Sequence, residues 1–357
     1  MSRVPDAVTA LKTATPPPPS GAAVVRRPRR VRALGLVISL AVLGAVMAAS
    51  VLVGSREVEW GDVLSALGGQ TEGFGPAAVA TRIPRTLVAV LVGAALAVSG
   101  AVMQGVTRNP LADPGVLGIN MGASLAVVTF IAFVGLSSAT TQIWVAIGGA
   151  AVAAVFVYTV GSLGRGGATP LKLALAGAAT SAALASFISA VVLPRADIGE
   201  AARAWLIGGV GGATFTALNQ VLPFLLAGFV ICLLSAKGLN SLALGDELAA
   251  GLGERVALTR GAAALGSVVL CGAATAVCGP IAFVGLVVPH ACRLIVGVDH
   301  RGLVPFSAVV GAALLTGADV LGRIVARPSE IDVGIITALI GAPVFIWIVR
   351  RQKVRAL

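Results

Sequence analysis

Charge is scarce in this 357-residue chain: 11% of its residues are Asp, Glu, Lys or Arg, against 57% that are hydrophobic. It also has one tyrosine, two histidines, four cysteines and four lysines. So few charges cannot clothe a water-soluble domain of this length. The two histidines, His290 and His300, have no carboxylate or thiol cluster at ligand spacing beside them, which leaves no set of metal ligands. No Ser/His pair or metal centre suited to an intramembrane enzyme is visible either. None of the lysines follows a glycine, so the phosphate loop G-x-x-x-x-G-K-[ST] is missing. The chain therefore has no recognisable site of its own for hydrolysing ATP. Cys232, Cys271, Cys278 and Cys292 all sit in apolar context and read as small core residues. Cys271 and Cys278 are seven positions apart, about 10 Å along a helix, too far for a disulfide.

What fills the chain is long runs of Ala, Val, Leu, Ile and Gly, with a mean hydropathy of +0.98. A membrane span needs about 20 mostly apolar residues, and several windows supply them. Backbone groups in lipid must be satisfied within the protein, so such windows are helices. A barrel would alternate over about ten residues at a time, and nothing here alternates. The expected fold class is an all-α polytopic membrane protein with about ten transmembrane helices, near 34–54, 86–107, 115–136, 142–163, 171–193, 218–236, 261–279, 281–297, 304–322 and 334–349. Residues 1–33, with Pro16 to Pro19 and the run RRPRRVR from Arg26 to Arg32, read as a disordered basic cytoplasmic tail. The membrane body then covers 34–352, and 353–357 form a short C-terminal tail. With the N-terminus inside, 19 of the 26 Lys and Arg residues fall on the cytoplasmic side, as the positive-inside rule requires when both termini are internal. The net charge of +11 is then concentrated where it meets anionic lipid, and it points to no nucleic acid.

Within this apolar frame the stretch LGDELAAGLGERVALTR, Leu244 to Arg260, is a charged island in the longest cytoplasmic loop. Gly238 and Asn240 are expected to end the preceding helix, with Gly251 and Gly253 dividing the island into two short helices. Asp246 and Glu247 fall in a first turn, where acids suit the helix dipole. Three other stretches stand out. The first, TRIPRTLVAVLVGAALAVSGAVMQGVTRNPLADPGVLGINMGA from Thr81 to Ala123, places Arg82 and Arg85 at the outer boundary. It then breaks the backbone with Pro110 and Pro114 near the inner one. Irregular backbone at membrane depth belongs where protein or a cavity surrounds it. The second is GPIAFVGLVVPHACRLIVGVDHR, Gly279 to Arg301. The third is GADVLGRIVARPSEIDVGIITALIGAPVFIWIVRR, Gly317 to Arg351, in which Asp319 and Arg323 form an i,i+4 pair. LVGAALAVSG (Leu91 to Gly100) and LCGAATAVCG (Leu270 to Gly279) agree at seven of ten positions and run in opposite directions in this topology, as an inverted repeat requires.

In order and spacing, these motifs resemble the permease subunits of ABC importers for iron–siderophore complexes, haem and vitamin B12, over roughly residues 34–352. The resemblance implies a ten-helix type II importer permease fold in the cytoplasmic membrane. It implies as partners a second permease subunit, identical or homologous, two cytoplasmic ATPase subunits and an extracytoplasmic substrate-binding protein. No cofactor is implied for this chain, since ATP and Mg are used by the partner ATPase. Carried over by motif, Leu244, Gly245, Asp246, Glu247, Ala250, Leu252, Gly253 and Glu254 form the coupling island, its charged face turned to the ATPase. Arg82, Arg85 and Arg323 would grip acids on the binding protein. Asn109 and Leu111, with Thr169, Pro170 and Leu171, would gate the pathway. Pro170 stands where some relatives carry a small hydroxyl residue, and Asn109 serves equally as a helix or turn cap.

The leading reading is thus an importer permease moving a ferric siderophore by alternating access, with cobalamin or haem as alternative cargo. An ion-coupled secondary transporter is the competing class. Such proteins bury ionisable groups in mid-span, and here the only acids in or beside a span core are Asp113 and Asp319.

Overall fold

The computed structural model describes residues 28–54, 58–70, 72–135, 138–164 and 169–351. Thirteen α-helices follow in order among them: α1 (Arg29–Leu52), α2 (Trp60–Leu67), α3 (Phe74–Thr107), α4 (Ile119–Val134), α5 (Ala139–Ser162), α6 (Pro170–Val192), α7 (Ala196–Ile207), α8 (Phe215–Leu242), α9 (Asp246–Gly251), α10 (Val256–Cys278), α11 (Val284–Val296), α12 (His300–Val325) and α13 (Val333–Arg351). Ten of them coincide with the ten expected spans. Seven are long and apolar enough to cross a membrane, and α4, α11 and α13 are shorter apolar helices. The basic run is helical from Arg29 onward, so the first span begins inside the expected tail. The rest of that tail and the stretch 353–357 lie outside the described residues.

Helix starts follow local chemistry. Ser138, Thr169 and Thr214 each accept a backbone N–H of the first turn they precede, and Pro170 occupies the first position of α6, where a missing N–H costs nothing. Two spans are short because the backbone unwinds at depth. After α3 the chain turns back through NPLADPG into a 3₁₀ turn, Pro114–Leu117, and its Asp113 and Pro114 come up beside Gly285. Helix α11 begins only after residues 279–283, with Phe283 in the left-handed region at φ 68°.

Helix α3 is the buried axis, packed by α12, α10, α11 and α8. Small residues set these crossings. A methyl group on Gly93 would strike the Gly311 carbonyl of α12, and one on Gly100 would strike the Gly285 carbonyl of α11. Close backbone approach is what small residues provide in lipid, where burial alone gives helices little reason to associate. Ser99 and Ser267 fix α3 to α10 reciprocally: each hydroxyl donates to the other's carbonyl, at 2.8 and 2.9 Å. All four cysteines are buried.

Two expectations about the island are corrected. Gly238 and Asn240 lie inside α8, which continues to Leu242, because Gly238 packs against Thr259 and Asn240 bonds the Asp299 side chain. The island's second half is not a separate short helix. It is the first turn of the long span α10.

Candidate functional site

At one end of the helix bundle, the end expected to be cytoplasmic, α9 is set between two glycines with positive φ, Gly245 (+111°) and Gly253 (+82°). These are conformations that side chains resist. The resulting tight turns let a six-residue helix project between α8 and α10. Its leucines face outward: Leu244, Leu248 and Leu252, spaced by four around α9, are 57%, 63% and 68% exposed. Ala250 is exposed beside them, and Ala249 points into the body.

The charged residues divide: Asp246, Glu247 and Arg255 are exposed, and Glu254 and Arg260 are half-buried. Asp246 is bridged by Arg260 of α10 at 2.9 Å and by Arg108 at the end of α3. Burial pushes the Asp246 carboxyl up, but the bonds and charges of Arg260 and Arg108 outweigh it and hold the group below the ordinary carboxylate range. Glu254 accepts the Thr259 hydroxyl. The outward surface of the island therefore combines an apolar stripe of leucines with the exposed charges of Asp246, Glu247 and Arg255. Leu248, Arg108 and Arg260 were not among the residues picked out for this site. The four-residue leucine spacing was the available signal for the first; for the arginines no signal exists short of the fold.

Both expected gate segments line one cavity of about 690 Å³ between α3, α5, α6 and α10. Asn109, Leu111 and Leu171 are on its wall with Tyr158 and Gly261. The Asn109 carboxamide oxygen accepts the Leu111 N–H at 2.9 Å, so this side chain holds the turn after α3. Thr169 caps α6 through the Lys172 N–H.

At the opposite end, the three expected docking arginines are drawn into the protein. Arg82 donates to the Val51 and Leu52 carbonyls at 3.0 and 3.1 Å. Arg323 donates to the Ser50 and Val53 carbonyls and to the Ser50 hydroxyl. Two guanidinium groups thus cap the C-terminal end of α1, where carbonyls lack helical partners and the dipole favours cations. Asp319 ties Arg323 (2.9 Å) to Arg85 (2.7 Å), and both Asp319 and Arg323 are only 1% exposed. Arg85 reaches on to Glu330 at 2.7 Å, whose side chain is 35% exposed in the loop before α13. Arg327 in the same loop is exposed.

Polar groups also gather at the re-entrant break. Asn120 accepts the Thr275 hydroxyl at 3.0 Å, and Gln104 accepts Arg293 at 2.5 Å. His300 is buried, its ring nitrogen 3.0 Å from the Asn240 carboxamide oxygen. Among the described residues no group of three or more His, Cys, Asp or Glu is placed to hold a metal ion.

Comparison with known proteins follows the same plan from end to end. The model of the FecCD transport family matches residues 36–351. The ferric enterobactin transport system permease protein FepD of Escherichia coli (strain K12) is 43% identical over 335 residues, covering 93% of this chain and 98% of that protein. The probable siderophore transport system permease protein YfiZ of Bacillus subtilis (strain 168) is 44% identical over 274 residues, covering 76% of this chain and 81% of that one. Among solved structures, an inward-facing chain described as of the metal-chelate ABC transporter type superposes with a TM-score of 0.78 at 27% identity, covering 90% of this chain and all of the other.

Proposed function

The chain belongs to the FecCD transport family, and from that premise we propose that it carries ferric siderophores inward as the permease of an ATP-driven importer. It is a multi-pass protein of the cytoplasmic membrane, and the ATPase is a separate subunit. The observation that carries the cargo assignment is the full-length match to a ferric enterobactin permease; haem and cobalamin are the alternatives within the family.

The coupling surface is the leucine face of α9. Leu244, Leu248 and Leu252 stand exposed in the loop that the bias of Lys and Arg puts inside, and a cleft on the ATPase is the occupant that the family's plan supplies. Burying apolar area there supplies the grip. The pathway runs between this permease and a second one, and its gate is the wall of the cavity within this chain that Asn109, Leu111 and Leu171 border. ATP binding closes the ATPase pair, α9 moves with it, and the break after α3 shifts to change the side on which the pathway opens.

Outside, the binding protein meets the rim formed by Glu330, Arg327 and Arg85. Arg82 and Arg323 contribute from beneath by holding the end of α1 that supports this rim. A carboxylate of the binding protein reaches Arg85 by taking the place of Glu330.

The test is uptake of labelled ferric siderophore in cells carrying the complete importer. A partner ATPase unable to hydrolyse ATP must abolish uptake, and a protonophore that leaves ATP intact must not. The reverse pattern favours an ion-coupled transporter.

A further inference from the structure

A coupling helix must act on the gate as well as hold the ATPase, and the structure contains a direct connection between the two. Asp246, the first residue of α9, touches two elements at once. One partner is Arg108, which directly precedes the gate-wall residue Asn109. The other is Arg260, which directly precedes the gate-wall residue Gly261. One carboxylate therefore links the island to both sides of the cavity.

Arg108 adds an independent observation. It ends α3 in the left-handed region, at φ 51° and ψ 29°, and it is one of two non-glycine residues with positive φ among the described residues, with Phe283. A side chain resists this region because its Cβ crowds the following carbonyl. Such a conformation persists only where the surroundings hold it. Two contacts hold it: the Arg108 N–H donates to the Gly105 carbonyl, and the Arg108 guanidinium is bonded to the Asp246 carboxylate.

We propose that Asp246 is a positioning residue that transmits the movement of α9 to the gate by holding Arg108 in its left-handed turn and keeping Arg260 in register. It is not part of the grip on the ATPase. When α9 moves with the ATPase, the Asp246 carboxylate moves relative to Arg108. The turn at 108–109 then loses one of its two supports, and the Asn109–Leu111 wall can relax toward ordinary backbone. This inference rests on the coupling role of α9 proposed above, and the experiment separates the two.

The whole importer, with its ATPase and binding protein, is reconstituted in liposomes with Asp246→Asn, Arg108→Gln or Leu248→Asp. Three quantities are read: co-purification of the ATPase, ATP hydrolysis, and ferric siderophore uptake. For Asp246→Asn and Arg108→Gln the expected result is a retained ATPase, continued hydrolysis, and uptake reduced roughly tenfold, within the ordinary range of coupling free energies. More ATP is then consumed per siderophore moved, a readout that general loss of structure does not produce. For Leu248→Asp the expected result is loss of the ATPase itself; if the ATPase stays bound, the coupling role of α9 fails and the inference with it. If Asp246→Asn instead releases the ATPase, Asp246 belongs to the docking face and the inference is overturned. Unchanged uptake per ATP overturns it as well. Should the Asp246 variant not accumulate, Arg108→Gln decides alone: uncoupling with the ATPase bound supports the link, and normal coupling refutes it.

Discussion

Replacing Asp319 by Asn preserves the shape of the outer cluster and removes its one fully buried negative charge. Asp319 accepts from Arg85 through both Nε and Nη2 and from Arg323 at 2.9 Å. Without it, two guanidinium groups remain side by side, one of them 1% exposed, with only the partly exposed Glu330 opposite Arg85. Removing one partner of a buried ion pair costs about 3–5 kcal/mol because the other charge is left unpaired. Glu330→Gln is the matched control. It removes the same charge from the same arginine near the rim, where solvent screens the pair and the cost is about 0–1 kcal/mol. Reversible unfolding of the purified chain in mixed detergent micelles should separate the two variants by at least about 2 kcal/mol, the gap between those two ranges. If they prove equal, or if Asp319→Asn costs less than about 1 kcal/mol, the value of an exposed pair, then the cluster is solvated and the account of Arg323 as an internal cap on α1 is wrong.

Further expectations concern other parts of the molecule. Each leucine of the α9 face leaves more than half of its surface exposed, so truncation to Ala should weaken ATPase binding by about 1–2 kcal/mol, or about 5- to 30-fold in affinity, measured by titration in nanodiscs. Gly100→Ala places a methyl against the Gly285 carbonyl, and overpacking of this kind should cost about 1–3 kcal/mol in the same unfolding assay. Asp299 caps α12 by accepting the Arg301 N–H, so Asp299→Ala should cost about 1 kcal/mol at neutral pH. Burial raises the Asp299 carboxyl, but the Asn240 amide, the Arg301 N–H and the nearby charges outweigh it and lower its pKa. A lowered folded-state pKa contributes stability above the unfolded value near 4, and that contribution fades as pH falls through the folded value. The stability gap between wild type and Asp299→Ala should therefore stay constant from about pH 8 to 5 and close below about pH 4.

The ten apolar helices were legible in the sequence because lipid leaves a long uncharged run no alternative to a helix. Pro110 and Pro114 marked the break, since neither can continue a helix ladder. The pairing of Asp319 with Arg323 was visible as an i,i+4 spacing. Which way the charges point was not. Asp246 meets residues 138 positions earlier and 14 later, so its pairing depends on α3 returning to the same end as α8 and α10. The same holds for Arg82 and Arg323, which look like boundary arginines until the carbonyl end of α1 is placed between them. Helices α2 and α7 were not expected because, at 8 and 12 residues, they fall short of the length by which a span is recognised. Gly238 read as a helix terminator, yet it serves as a packing surface for Thr259.

This chain carries ferric siderophores across the cytoplasmic membrane. The most direct test of this assignment is uptake of radiolabelled iron, supplied as ferric siderophores, in cells lacking this chain, with labelled cobalamin and haem run alongside and the wild-type gene restored in parallel. Siderophore iron uptake should be lost with cobalamin and haem uptake unchanged, and it should recover fully on restoration. Normal siderophore uptake in cells that lack every other siderophore importer, or selective loss of haem or cobalamin uptake, contradicts the assignment.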